Sequence, residues 1–217
     1  MFNLDEVIYK FKVMPNNEVN EILLDNMNNL GEKKILYVFA GPNGSGKSTL
    51  IGNFYKLGMF QNVKYVNADI YAKTLFKDEK SESERNLKAM EYAVDRMNSN
   101  IKTGDSVVYE TVLSHPSKLD LIKEYKKHGY QVISVFITPD NPVINLQRIN
   151  QRVKEGGHDV PPRKVMDRFY RSNKLKYSLK EISDSYYQVD NTDLPKITNI
   201  VLKNFNLDDE NNSQNDL

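Results

Sequence analysis

The sequence predicts an α/β fold of three layers, in which a mostly parallel sheet of five to six strands lies between helices. Short apolar segments rich in β-branched residues alternate along the chain with longer amphipathic segments. A glycine-rich loop follows the run over 35–40, which is apolar and β-prone, as a buried strand should be. Polar residues follow several other predicted strands. Parallel sheets of this kind bind their ligands beyond the carboxyl ends of the strands.

The strands are predicted from short apolar runs and the helices from apolar residues at helical spacing. Residues 1–34 are predicted to be an N-terminal helical region, and a short helix is expected over 70–76. Strands are predicted over 35–40, 63–66, 106–109, 131–137 and 185–189, and longer helices over 80–101, 116–128, 142–155 and 162–181. Residues 196–204 are compatible with either a strand or a helix.

Glycine and proline set several of these boundaries. Gly129 closes the helix over 116–128, Pro139 stops the fourth strand, and Gly156-Gly157 ends the helix over 142–155. We expect a single domain over 1–206, followed at 207–217 by a disordered tail that contains four acids and no base.

The composition restricts the function classes. The chain of 217 residues has a net charge of +1, which gives no overall field favouring a nucleic acid or an anionic membrane. It has no cysteine, so disulfides and thiolate chemistry are excluded. No apolar run approaches the ~20 residues of a membrane span, and the N-terminus lacks the features of a signal peptide. We expect a cytoplasmic protein that does not bind a membrane.

The loop after the first strand matches the phosphate-binding pattern G-x-x-x-x-G-K-[ST]. Its glycines allow backbone N–H groups to converge on phosphate oxygens at a helix N-terminus. Lys47 would reach the β- and γ-phosphates, and the Ser48 hydroxyl would bind Mg²⁺. The pattern predicts binding of a nucleoside triphosphate, ATP or GTP, by Gly41, Pro42, Asn43, Gly44, Ser45, Gly46, Lys47, Ser48 and Thr49. The alternative is a fortuitous glycine-rich turn.

Two acids follow predicted strands and are candidates for chemistry. Asp69 could be the base that accepts the proton of an attacking hydroxyl, or it could cap the helix over 70–76. Glu110, followed by Thr111, could hold Mg²⁺ directly or through water, could accept hydrogen bonds from substrate hydroxyls, or could be an ordinary polar residue at a strand end.

A basic region is the third feature, with ten basic and three acidic side chains between residues 148 and 180. Arg148 and Arg152 are four residues apart, and Arg168 and Arg171 are three apart, so each pair shares a helical face. Arginine is suited to forked contacts with phosphate oxygens, so this region is predicted to be a closing lid. The alternative is a solvated cationic face. His158, in the loop between the helices, is interpreted as structural rather than catalytic.

Taken together, these segments resemble the zeta-toxin family of P-loop kinases over about residues 34–192. The resemblance is carried by Gly41–Thr49, Val66-Asn-Ala-Asp69, Tyr109-Glu-Thr111, Arg148-x-x-x-Arg152-Val, Gly156-Gly-His-x-Val-Pro161, Arg168-Phe-Tyr-Arg171 and Val189-Asp-Asn-Thr192. The loop Gly-Pro-Asn-Gly-Ser-Gly has the form common in a branch described as predicted ABC-type ATPases.

The resemblance implies a nucleoside-kinase-like P-loop fold and a kinase that uses ATP or GTP with Mg²⁺. Better-known members phosphorylate the 3′-hydroxyl of an N-acetylhexosamine on a uridine diphosphate sugar and are held inactive by an antitoxin, which here would be a separate protein. By position, Asp69 resembles the base, Glu110 the acid that contacts substrate or metal, and Asn191 part of a loop near the nucleotide base. Arg148, Arg152, Arg168 and Arg171 resemble the basic residues around the γ-phosphate.

The leading hypothesis is therefore a kinase whose acceptor is a nucleotide sugar. One alternative is a kinase of nucleic acid ends or an RNA-binding ATPase, which the basic region would favour. Aromatic residues do not alternate regularly with the basic ones, so we do not expect a nucleic acid partner. A third hypothesis is a nucleotide-dependent binding switch without transfer chemistry.

Overall fold

The computed structural model describes residues 19–23, 33–60, 63–157 and 159–203. Residues 19–23 are helical, and Val19 and Leu23 are buried. Lys33 and Lys34 are not helical, so the predicted helical region ends before them. Residues 1–18 and 24–32 of that region, His158 and the acidic tail lie outside the described residues.

The elements follow the predicted alternation. In chain order they are β1 Ile35–Ala40, α1 Lys47–Lys56, β2 Lys64–Val66, α2 Ala68–Thr74, α3 Glu82–Thr103, β3 Val107–Thr111, α4 Ser117–Lys127, β4 Gln131–Thr138, α5 Pro142–Lys154, α6 Pro162–Ile182, β5 Ser185–Asp190 and β6 Lys196–Leu202. Two boundaries differ from the prediction in ways that affect the site. The third strand continues through Thr111, and the helix after the second strand begins at Ala68 rather than at Ile70.

The six strands form one sheet in the order β2-β3-β1-β4-β5-β6. The first five strands in this order are parallel, and β6 pairs with β5 in the antiparallel direction. The prediction of a mostly parallel sheet of five to six strands is confirmed. Pairing with β5 makes the ambiguous segment near the C-terminus a strand, and this pairing partner is not evident in its local sequence.

Strand β1 shows how the sequence builds the three layers. All six of its residues are buried, and alternate side chains point to opposite faces of the sheet. Tyr37 and Phe39 belong to a hydrophobic cluster with α1, whereas Leu36 and Val38 belong to a second cluster with α3 and α4. Because β1 is central and covered on both faces, it fixes the loop that follows it. No helix in the described ranges is both long and apolar enough to cross a membrane.

Candidate active site

A cavity of about 320 Å³ lies beyond the carboxyl ends of β1 and β3, at the edge of the sheet where the sequence predicts the ligand site. This volume is at the lower end of the range for small-molecule sites. Its phosphate end is formed by Asn43, Lys47, Asn67, Asp69, Lys73, Glu110, Arg152 and Arg168. A second group of lining residues, called the acceptor end below, is carried by α3 and by the chain from the end of β3 into α4. It comprises Glu82, Asn86, Met90, Ala93, Val94, Val112, Leu113, Ser114, His115, Lys118 and Leu121.

The glycine-rich loop packs against the sheet so closely that its first residue must lack a side chain. Gly41 has φ 145°, and a Cβ built on it would lie 2.0 Å from the carbonyl oxygen of Ile137 in β4. The Gly41 N–H donates to the Thr111 carbonyl at the end of β3, with a distance of 3.3 Å. The loop is thus held between the ends of two neighbouring strands.

Lys47 is buried at the start of α1 and donates from Nζ to the carbonyl oxygens of Gly41 (2.9 Å) and Pro42 (3.0 Å). Burial lowers the pKa of its ammonium group, while the nearby carboxylates of Glu110 and Asp69 oppose this shift. Thr49, two residues later in α1, is half-buried. The lysine that the motif assigns to phosphate therefore lies among the predicted acids.

Two buried asparagines donate hydrogen bonds to the backbone of the glycine-rich loop. Asn145 in α5 donates from Nδ2 to the Asn43 carbonyl oxygen at 2.6 Å, and Asn191 after β5 donates to the Ser45 carbonyl oxygen at 2.9 Å. The resemblance places Asn191 in a loop near the nucleotide base, and in the structure its amide bonds to the backbone of the glycine-rich loop. The role of Asn145 is missed by the sequence analysis, because no motif links α5 to the loop.

Glu110 is the centre of a hydrogen-bonded cluster that three other residues complete. The Ser48 hydroxyl donates to Glu110 Oε1 at 2.8 Å, and Asn67 Nδ2 donates to Oε2 at 2.8 Å. The hydroxyl of Tyr65 also donates to Oε2. Tyr65 is buried in β2, and burial together with the Glu110 charge raises its pKa well above the usual value. Tyr65 therefore stays protonated and remains a donor at neutral pH.

Asn67 has the capping role that was one of the two alternatives for Asp69. Its side-chain oxygen accepts hydrogen bonds from the backbone N–H groups of Asp69 (2.8 Å) and Ile70 (3.4 Å), so Asn67 is the N-cap of α2. Asp69 lies in the first turn, and its carboxylate accepts no hydrogen bond from the part of the chain that the structure describes. The interpretation of Asp69 as the cap is therefore wrong, and its carboxylate is exposed in the cavity.

The four predicted arginines separate into different environments. Arg152 and Arg168 line the cavity, and both lower the pKa of Lys47, which shows their proximity to it. Arg168 also donates from Nη1 to Asn43 Oδ1 at 3.1 Å. Arg148 instead donates to the Thr192 carbonyl oxygen at 3.1 Å, beyond β5. Arg171 is exposed and donates to the Asp167 carbonyl oxygen of its own helix, so the structure does not bring it to the cavity.

Helices α5 and α6 carry these arginines and are joined by a short loop. Gly156, with φ 83°, ends α5, and its N–H donates to the Val153 carbonyl oxygen at 2.9 Å. Ile149, Val160 and Val165 form a small apolar cluster of their own between the two helices. The predicted lid is thus a helical pair with its own packing, and it brings two of its arginines to the phosphate end.

The acceptor end was not predicted from the sequence. One face of α3 contributes Glu82, Asn86, Met90 and Val94, which recur at helical spacing. The chain after β3 also lines the cavity and turns at Leu113, which is buried with φ 52°. A positive φ is uncommon for a residue other than glycine, and residues in such strained conformations cluster at active sites and ligand-binding segments.

The residues at the phosphate end fit a magnesium nucleotide. Ser48 and Glu110 place a hydroxyl and a carboxylate oxygen side by side, and Mg²⁺ is typically bound by one or two such groups together with phosphate oxygens. In the described part of the chain, no three His, Cys, Asp or Glu residues form a cluster that could hold a metal by itself. Lys47, Arg152 and Arg168 supply the positive charge that a triphosphate requires.

Comparison with known proteins gives a family and a fold. A family model described as Zeta toxin matches residues 20–204. No curated protein matches the sequence. Among solved structures, the AvrRxo1-ORF1:-ORF2 complex is similar, with 18% identity over 85% of this chain and 67% of that chain and a TM-score of 0.63. The same complex has been solved with ATP, and this structure gives a TM-score of 0.62.

Two further structures are similar at comparable identity. The PezAT chromosomal toxin-antitoxin system of Streptococcus pneumoniae shares 16% identity over 85% of this chain and 81% of that chain, with a TM-score of 0.58. The Pnkp1/Rnl/Hen1 RNA repair complex shares 17% identity over 70% and 48%, with a TM-score of 0.55. At these identities the matches show a common fold, and they confirm the predicted P-loop α/β architecture.

Proposed function

The chain belongs to the zeta toxin family, and from this premise we propose that it is a kinase that transfers the γ-phosphate of ATP or GTP to a hydroxyl group. The proposed acceptor is a nucleotide sugar similar to a uridine diphosphate N-acetylhexosamine. The observation that carries the proposal is the Asp69 carboxylate, which is left without a capping role and lines the same cavity as Lys47, Glu110 and Arg168.

The chemistry needs one base and a set of positive charges. The acceptor oxygen forms a bond to the γ-phosphorus while the bond between that phosphorus and the β–γ bridging oxygen breaks, and the nucleoside diphosphate leaves. Asp69 accepts the proton of the attacking hydroxyl. Lys47, Arg152 and Arg168 bind the transferring phosphoryl group and stabilise the charge that develops on its oxygens.

Ser48 and Glu110 are the proposed magnesium-binding residues. The bound ion would neutralise charge on the β- and γ-phosphate oxygens. Tyr65 and Asn67 hold the Glu110 carboxylate by its other oxygen, which leaves Oε1 beside the Ser48 hydroxyl. Glu110 is thereby oriented before the nucleotide binds.

The test is transfer of labelled γ-phosphate from ATP, with Mg²⁺, to a panel of uridine diphosphate sugars. We expect a phosphorylated sugar nucleotide from the wild-type protein. Asp69→Asn should lower kcat by roughly 10²- to 10⁴-fold, the usual contribution of a general base, while ATP binding is retained. Asp95→Asn, an exposed position of α3 outside the cavity, is the matched control and should keep full activity.

An Asp69→Asn protein with normal kcat would exclude Asp69 as the base. Retained ATP affinity without any phosphorylated product, from the panel or from a cell extract, would instead support the nucleotide-dependent switch.

We also propose a separate antitoxin protein as a partner, supported by the family and by the similarity to a toxin-antitoxin system. Expression of the wild-type chain should then arrest bacterial growth, and Asp69→Asn should not. Normal growth with an active enzyme would separate the kinase activity from a toxic role.

A further inference from the structure

Lys118 is a cation of the acceptor end for which the proposed chemistry has no role. It lies in the first turn of α4, lines the cavity and is half-buried. Its side chain forms no hydrogen bond or ion pair with any residue in the described ranges. The nearest acid on its own helix, Asp120, is instead 3.9 Å from Lys123 Nζ.

The four acids that line the cavity do not compensate the charge of Lys118. They are Asp69, Glu82, Glu110 and Asp159. Burial lowers the pKa of the Lys118 ammonium group, and no carboxylate opposes that shift. Lys73 provides the contrast, because Asp69 and Glu110 do oppose the lowering of its pKa by burial. Asp69 and Glu110 therefore act at the phosphate end, and no carboxylate acts on the pKa of Lys118.

Lys118 is also separate from the cations assigned to the nucleotide. Arg152 and Arg168 affect the pKa of Lys47, whereas Lys118 does not. It is carried by the segment that follows Thr111 and turns at the left-handed Leu113. Withdrawing an ammonium group from water is costly unless an opposite charge is supplied. A cation held in this way in an open cavity is therefore suited to a ligand that brings its own negative charge.

We propose that Lys118 forms an anion-binding subsite for a phosphate group of the acceptor, separate from the site of the nucleotide phosphates. The ligand is called the acceptor on the basis of the kinase function proposed above. The Ser114 hydroxyl and the Asn86 amide line the same end and supply polar partners for the rest of the ligand. Met90, Val94 and Leu121 supply its apolar wall.

The test measures binding rather than turnover. The protein is first saturated with Mg²⁺ and a non-hydrolysable ATP analogue, so that the P-loop is occupied. Calorimetric titrations then compare uridine diphosphate N-acetylglucosamine, uridine diphosphate, inorganic pyrophosphate and free N-acetylglucosamine. The variants are Lys118→Met, Lys118→Arg and, as a matched control on the exposed side of the same helix, Lys123→Met.

We expect each phosphate-bearing ligand to bind Lys118→Met roughly tenfold more weakly, which is the effect of losing one charge-assisted hydrogen bond. Lys118→Arg should restore binding, Lys123→Met should resemble the wild type, and the uncharged sugar should not distinguish the variants. A response to pyrophosphate alone would identify a site for free phosphates and overturn the acceptor assignment.

Unchanged binding of the phosphate-bearing ligands to Lys118→Met, or no binding of them to the loaded wild-type protein, would overturn the subsite. If Lys118→Met does not fold, Lys118→Gln gives the same comparison with a polar side chain. The transfer assay separates the two proposals. If Lys118→Met phosphorylates a sugar nucleotide with an unchanged KM, the kinase proposal stands and the subsite proposal is overturned. If binding depends on Lys118 but no phosphate is transferred, the subsite proposal stands and the proposed reaction is overturned.

Discussion

The two ends of the cavity differ in how their polar side chains are satisfied. At the phosphate end, Glu110 accepts hydrogen bonds from three side chains, and Lys47 donates to two carbonyl oxygens. The Lys118 side chain at the acceptor end forms no hydrogen bond or ion pair with the described residues, and the same holds for the side chains of Asp69 and Lys73 at the phosphate end. The side chains proposed for metal and nucleotide are thus fixed in advance. Under the proposed function, Asp69 and Lys118 would meet the acceptor, and their side chains are not already bonded to the described residues.

The largest expected effect tests whether the hydrogen-bonded Glu110 at the phosphate end is essential for phosphate transfer. Glu110→Gln keeps the shape of the side chain but removes the charge beside Ser48. We expect kcat to fall about 100-fold or more, because metal stabilisation of phosphoryl oxygens is worth several kcal/mol and each 1.36 kcal/mol is tenfold. Transfer rates measured across a range of Mg²⁺ concentrations test this, with the exposed Glu91→Gln in α3 as control.

Normal turnover of Glu110→Gln at low Mg²⁺ would contradict the metal role. It would also reduce the contrast between the two ends to a difference in packing.

A smaller effect is expected for Tyr65, which orients the proposed metal ligand Glu110. Tyr65→Phe removes one donor to Glu110 while Asn67 and Ser48 still hold it. We expect the Mg²⁺ concentration at half-maximal rate to rise roughly tenfold, the usual scale for the loss of a residue that orients a metal ligand. Excess Mg²⁺ should recover most of kcat, because the ligand itself is unchanged.

Tyr125→Phe is the matched control for this variant. Its hydroxyl is buried and donates to the Met97 carbonyl oxygen at 2.7 Å, on the other side of the fold. Both variants should lose a similar amount of stability, about 1 kcal/mol. Only Tyr65→Phe should change the Mg²⁺ requirement, and an equal change in both would show a purely structural role for Tyr65.

The smallest effect on activity is expected at Tyr37 of β1, which does not line the cavity. Burial raises the pKa of Tyr37 in β1 to about 12, above the ordinary value of 10.0. The folded state therefore favours the protonated hydroxyl. The resulting stabilisation is complete below pH 10 and is lost as the pH rises from 10 to about 12. Relative to Tyr37→Phe, the wild-type protein should lose about 2 kcal/mol of unfolding free energy across this window.

Denaturant unfolding at pH 8, 10 and 11.5 measures the difference, and kinase activity at pH 8 should be the same in both proteins. A constant difference in stability across the three pH values would contradict the raised pKa.

The sheet was predictable because each central strand is a short run that must be buried on both faces. Six consecutive buried residues in β1 leave few other solutions. The P-loop was predictable for a similar reason, since its pattern acts through contiguous backbone. Segment 196–204 was not, because its local pattern fits two structures and only pairing with β5 decides between them.

The site was harder to predict because its contacts join distant segments. Asn67 and Asp69 are both residue types that cap helices, and only the position of β2 beside β3 places the Asn67 amide against Glu110. Arg148 and Arg152 share a helical face in sequence, yet one bonds the Thr192 carbonyl oxygen and the other lines the cavity. The cation at Lys118 follows from no motif at all.

The turn at Leu113 has a consequence for how this protein can diversify. A left-handed conformation costs a leucine of the order of 1 kcal/mol or more, yet the fully buried side chain contributes to the core below. A glycine would relieve the backbone and leave a void, and a larger residue would add to the crowding. Evolution can therefore vary the exposed His115 and the half-buried Ser114 more cheaply than the turn that carries them. Under the proposed function, a change of acceptor would come from exchanging these side chains while the backbone turn at Leu113 is kept.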